Sequence, residues 1–129
     1  MSGSCCGSNS GETLVFTCAG AAHAGQVANC AGVGLMREAE GKLFCVAAVA
    51  AEVPDKIERA RNGRIRVAID GCDDHCCRKV LEKAGLPADV HVVVTDFGIE
   101  KNPKEPQMIV DTTRTLCAAK ERLAPLRAS

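Results

Sequence analysis

Short apolar runs rich in β-branched residues alternate along this chain with longer stretches in which apolar residues recur three and four positions apart. The first pattern reads as strand and the second as helix. Strands are predicted over residues 13–18 (Thr-Leu-Val-Phe-Thr-Cys), 42–49, 64–70 and 89–95. Helices are predicted over 21–40, 54–61, 73–84 and 107–123, with a charged, proline-containing loop over 99–106. Gly41 stands where a helix C-terminus favours glycine, and Pro54 stands where a first helical turn tolerates proline. Gly85 and Pro87 close the third helix.

Strands this continuously apolar belong in a parallel sheet covered on both faces, and right-handed crossovers put helices on both sides of it. The expected fold is a three-layer α/β sandwich, Rossmann-like or flavodoxin-like, on a four-stranded, mainly parallel sheet of order 2-1-3-4. Residues 12–129 form its single α/β domain. Residues 1–11 read as a flexible Ser/Gly leader carrying Cys5 and Cys6.

The stretch from Arg64 to Lys79 organises the rest. A β-branched strand stops at Asp70-Gly71 and opens into a predicted helix that carries three cysteines. Glycine makes the sharp turn without a Cβ penalty, and Asp73 or Asp74 is placed to cap the helix amides. Cys72 and Cys76, four residues apart, then share a face near the positive end of the helix, where thiols are poised to ionise. Cys18, Cys45 and Cys72 are each 27 residues apart, one strand–helix unit, and each falls near a strand's carboxyl end. In an open parallel sheet those ends lie side by side and bind ligands. Four thiolates, Cys18, Cys45, Cys72 and Cys76, would give the sulfur coordination that suits zinc or an iron–sulfur cluster.

Single cysteines are commonly plain core residues, and Cys30 and Cys117, mid-helix, are read that way. Cys77 points about a hundred degrees from Cys76 on the predicted helix and is a spare. His23 is the best non-sulfur neighbour for the site, whereas His75 and His91 are read as structural or exposed. A cysteine, five residues and an arginine from Cys72 to Arg78 outline a phosphatase loop, but Asp73 and Asp74 inside it oppose a phosphate dianion. Asp96-Phe97-Gly98 lacks the other kinase signatures, and Gly32-x-Gly34 lies inside a helix.

Composition narrows the partners. Aromatic residues make up 2% of the chain, with no Trp or Tyr, so there is no stacking platform for single-stranded nucleic acid. Sixteen basic residues balance sixteen acidic ones, leaving no net field to draw a polyanion or an anionic membrane. Nine cysteines without an export signal or disulfide-scaffold spacing point to a reducing compartment, where clustered thiols bind metal or do redox chemistry. A cytoplasmic location is expected. The longest apolar run, 43–51, is far short of the roughly 20 residues that cross a bilayer.

Several stretches together resemble one family. They are Phe16-Thr17-Cys18-Ala19-Gly20 with Gly25-Gln26-Val27-Ala28-Asn29, Leu43-Phe44-Cys45, Asp70-Gly71-Cys72 with Cys76 and Arg78-Lys79, and Val92–Ile99. In them the chain is similar to the DGC-domain family of zinc-binding proteins of bacteria and archaea, over about residues 13 to 101. The resemblance implies a small cysteine-liganded metal protein, with the family's motif cysteines at Cys18, Cys45, Cys72 and Cys76. Asp73 replaces a usual proline and Cys77 a usual small residue. Two functions stay open: a metal-binding module, or a thiol or sulfur-chemistry enzyme with Cys72 as nucleophile and Cys76, Cys77 or the Cys5-Cys6 pair as resolving thiol.

Overall fold

The computed structural model describes residues 11–128. Its sheet has four strands, β1 (Thr13–Thr17), β2 (Lys42–Leu43), β3 (Ile65–Asp70) and β4 (Val90–Val93), in the order β2-β1-β3-β4. Every neighbouring pair is parallel, as the apolar runs and crossover rule require. Thr17 stands opposite Ile69, and Asp70 opposite Val93. The β1–β3 ladder runs one step further, the Cys18 amide donating to the Ile69 carbonyl at 2.9 Å.

Alternation along the strands feeds two cores. Val15, Val67, Ile69 and Val92 point to one layer, where α1 (His23–Arg37) and α5 (Met108–Ala128) pack with Ala28, Leu35, Ala119 and Leu123. Leu14, Phe16 and Ala68 point to the other. That layer holds α2 (Val46–Ala50), α3 (Pro54–Arg61) and α4 (Cys76–Lys83), with Val49, Ala60, Cys77 and Leu81 buried in it. The result is the expected three-layer sandwich. No helix of the described residues is long and apolar enough to cross a membrane.

Boundaries shift where local chemistry outweighs periodicity. The second strand keeps two residues, because the alanine-rich 46–50 segment coils into α2 directly after an extended Cys45, as alanine's helix propensity favours. The left-handed residue after α1 is Ala39 (φ 58°) rather than Gly41. Gly41 instead lies against β1, where a Cβ would come within 2.9 Å of Val15. The fourth strand stops at Val93, and a 3₁₀ turn over Val94–Phe97 ends at Gly98 (φ 78°). Helix α5 continues past Leu123 through Pro125, held by Leu126 against the core and an Arg127–Glu40 ion pair.

Helix α4 departs most usefully. It begins at Cys76, after His75 in the left-handed conformation (φ 54°, ψ 41°), and neither Asp73 nor Asp74 caps it. Asp70 does so from the end of β3. Its Oδ1 accepts the Cys77 amide at 2.7 Å and its Oδ2 the Arg78 amide at 3.1 Å. A strand-end carboxylate buried to 1% exposure thus satisfies the orphan donors of a helix start.

Candidate metal centre

The carboxyl ends of β1 and β3 are neighbours, so Cys18 and the Gly71-Cys72 turn meet at one rim. The start of α1 closes against that rim with no room to spare. A Cβ on Gly71 would stand 2.7 Å from the Gly25 nitrogen, and one on Gly25 would stand 2.8 Å from the Gly20 carbonyl oxygen. Between these glycines and the start of α4 lies a cavity of about 240 Å³, lined by the sulfur-bearing residues Cys18, Cys72 and Cys76. Gly20, Ala21, Ala22 and Ala24 supply apolar wall, and Asp74 and Lys101 stand at the charged side.

Three of the four expected ligands therefore share a cavity. Cys72 lies in the turn before α4, so the shared-face argument for the 72/76 pair does not apply; the turn at His75 brings them to the same space. Cys45, at the N-cap of α2, is exposed and does not line the cavity. His23 is turned away from it: its Nε2 and an Asp111 carboxylate oxygen of α5 are 2.8 Å apart. Cys77 is buried in the opposite core, where burial and then Asp70 push its thiol well above the ordinary range. Cys30 is half-buried and Cys117 exposed, so neither is the core residue its helical position suggests. Cys5 and Cys6 lie outside the described residues.

The Cys76 thiol is not poised to ionise as a helix start alone implies. The Cys76 thiol is raised, first by desolvation and then by Cys18, Asp74, Asp70 and Cys72. Each neighbour is one more negative charge if it ionises, so the group resists forming a thiolate unless a cation enters among them. The Cys72 thiol faces the Asp74 carboxylate at 3.7 Å. The donor set has the chemistry of a soft-metal site. Among the described residues no three His, Cys, Asp or Glu side chains stand close enough to hold an ion outright.

Asp70 is the residue that the sequence reading missed. Besides capping α4, its Oδ2 accepts a hydrogen bond from His91 Nε2 at 2.8 Å, which fixes that imidazole's tautomer. The His91 ring meets His75 edge to face at 4.9 Å between centroids. The Gly71 carbonyl accepts the Thr95 amide at 3.2 Å. The cysteine-bearing turn is thus tied to β4 through His91 and to the 3₁₀ turn after it through Thr95. The available signal was a carboxylate ending a buried strand, one strand away from the only polar residue of the Val90–Val93 run.

Comparison with known proteins shows the family. Residues 14–119 match the family model of the DGC domain, and the chain belongs to that family. It is similar to the anaerobic and virulence modulator AnvM of Pseudomonas aeruginosa, with 30% identity over 112 residues, covering 87% of this chain and 86% of that protein. No solved structure matches the chain.

Proposed function

We propose that this protein is a metal-binding module of a reducing compartment that holds one zinc ion through Cys18, Cys72 and Cys76. The observation that carries the reading is the convergence of these thiols, from β1, the Gly71 turn and α4, on one cavity. Zinc suits a thiolate set of this size, with a fourth position left to another ligand. An iron–sulfur cluster ordinarily takes four cysteines, and Cys45, exposed and outside the cavity, is the weakest member of the expected quartet. A thiol enzyme with Cys72 as nucleophile leaves the presence of Cys18 in the same cavity without a role. The relative's name describes a modulator, and a binding role without turnover accords with such a site.

Elemental analysis of protein purified without oxygen tests this. About one zinc per chain is expected. Cys72→Ser should lose it, whereas Cys117→Ser and Cys45→Ser should retain it. Equal loss on changing Cys117 would overturn the assignment, and a brown, iron-containing preparation would favour the cluster.

A further inference from the structure

The body of α1 and its first turn are held by different means. From Val27 onward the helix is fixed by core packing, with Val27, Ala28, Ala31 and Leu35 fully buried. The first turn carries Ala22, Ala24 and Gly25 of the cavity wall, and such small residues bring little apolar area to burial. We propose that this turn is the movable wall of the thiol cavity, and that His23, through Asp111, is the latch that keeps it closed. The latch governs access to Cys18 and Cys72. It does not depend on what the thiols hold, so its failure would leave the zinc assignment standing.

Three tethers hold the turn, all from the stretch 101–111. Ala22, at the N-cap, has no side chain that can accept a hydrogen bond, so the orphan amides of the helix start are served from outside. The Lys101 carbonyl accepts the Ala24 amide at 3.1 Å, and Asn102 Oδ1 accepts the His23 amide at 3.4 Å. The third tether is the strongest. His23 Nε2 and Asp111 Oδ2 are 2.8 Å apart, and the two side chains are only 6% and 12% exposed. Arg114 Nη1, at 3.9 Å from Asp111 Oδ1, is beyond hydrogen-bond length, so His23 is the contacting partner of that carboxylate. A buried His–Asp pair is seldom a net gain over apolar packing, yet a hydrogen bond to a carboxylate is about twice as strong as a neutral one. At a turn with so little apolar packing of its own, the pair decides where the wall stands.

The test is pulse labelling of the full, reduced chain with N-ethylmaleimide in chelator-containing buffer, the rate at each cysteine read by peptide mass spectrometry. Cys77, buried in the opposite core, reports global opening, and the exposed Cys117 reports the reagent itself. In His23→Ala and in Asp111→Ala, the half-buried Cys18 and Cys72 are expected to label about tenfold faster, the scale of one lost hydrogen bond to a charged group. Cys77 and Cys117 should keep their wild-type rates. His23→Gln, which keeps an N–H donor near the position of Nε2, should restore most of the protection. Asn102→Ala, at an exposed position, should raise the rates of the same two thiols by about threefold, as for a neutral bond. It decides the matter if the His23 and Asp111 variants do not fold. Unchanged rates at Cys18 and Cys72 overturn the inference. So does an equal rise at Cys77, which would make the pair a general stabiliser, or a His23→Gln variant as open as His23→Ala.

Discussion

Asp70→Ala should cost about 3–5 kcal/mol of folding stability, the scale seen when one partner of a buried charged hydrogen-bonded group is removed. The carboxylate serves two amides and one imidazole at once, and it is buried. Its loss strands the Cys77 and Arg78 amides at the start of α4 and leaves the His91 imidazole without its carboxylate partner. Against a total of about 5–15 kcal/mol for a domain, that is roughly a fifth or more of the stability. Chemical denaturation reads it directly. Asp70→Asn, which keeps one acceptor oxygen but turns an amide group toward donors, should fall between wild type and Asp70→Ala. His91→Ala leaves the two amide bonds in place and should cost less than Asp70→Ala. If Asp70→Ala unfolds within about 1 kcal/mol of wild type, Asp70 is not the hub of this edge.

The second large effect belongs to Gly71→Ala. A methyl group there would sit 2.7 Å from the Gly25 nitrogen and 2.8 Å from the Ala24 carbonyl carbon. Those are backbone atoms of α1 and cannot rotate away as a side-chain tip could. The turn and the helix must separate, and with them Cys72 and the rim that carries Cys18. Overpacking of this kind costs about 3 kcal/mol, and the variant should also bind metal more weakly than its stability alone explains. Gly85→Ala is the useful contrast. Gly85 (φ 76°) has open space around its Cβ position, so it strains a turn remote from the thiols and should leave metal affinity intact. Equal metal affinity in Gly71→Ala and wild type would separate the glycine contact from the site.

The sheet was legible because its four apolar runs are separated by helix-length stretches, and Gly71 and Cys72 were legible because a turn must follow Asp70. Side-chain parity carried further information. Asp70 points to the same side as Ala68, and Ala68 pairs with His91, so a two-residue period combined with the strand order already brings the carboxylate and the imidazole together. Periodicity alone could not show that α4 starts at Cys76, because a left-handed His75 is a local backbone state that the burial pattern does not record. The same limit hid the fate of residues 45–50, where Val46 and Val49 favour a strand and the alanines around them a helix. His23 misled through proximity in sequence to Cys18: its helical position swings it to α5 and Asp111. The equal spacing of Cys18, Cys45 and Cys72 located three strand–helix units, but at the second unit the strand is so short that Cys45 falls on the following helix cap instead of facing the other two.

X-ray absorption at the zinc edge of the loaded, full-length protein is the most direct check of the central claim. The account predicts sulfur neighbours at about 2.3 Å, with one fewer in each of Cys18→Ser and Cys76→Ser, no bound zinc in Cys72→Ser and no change in Cys117→Ser. A shell of nitrogen and oxygen alone, or a sulfur shell that survives all three of those substitutions, would contradict it.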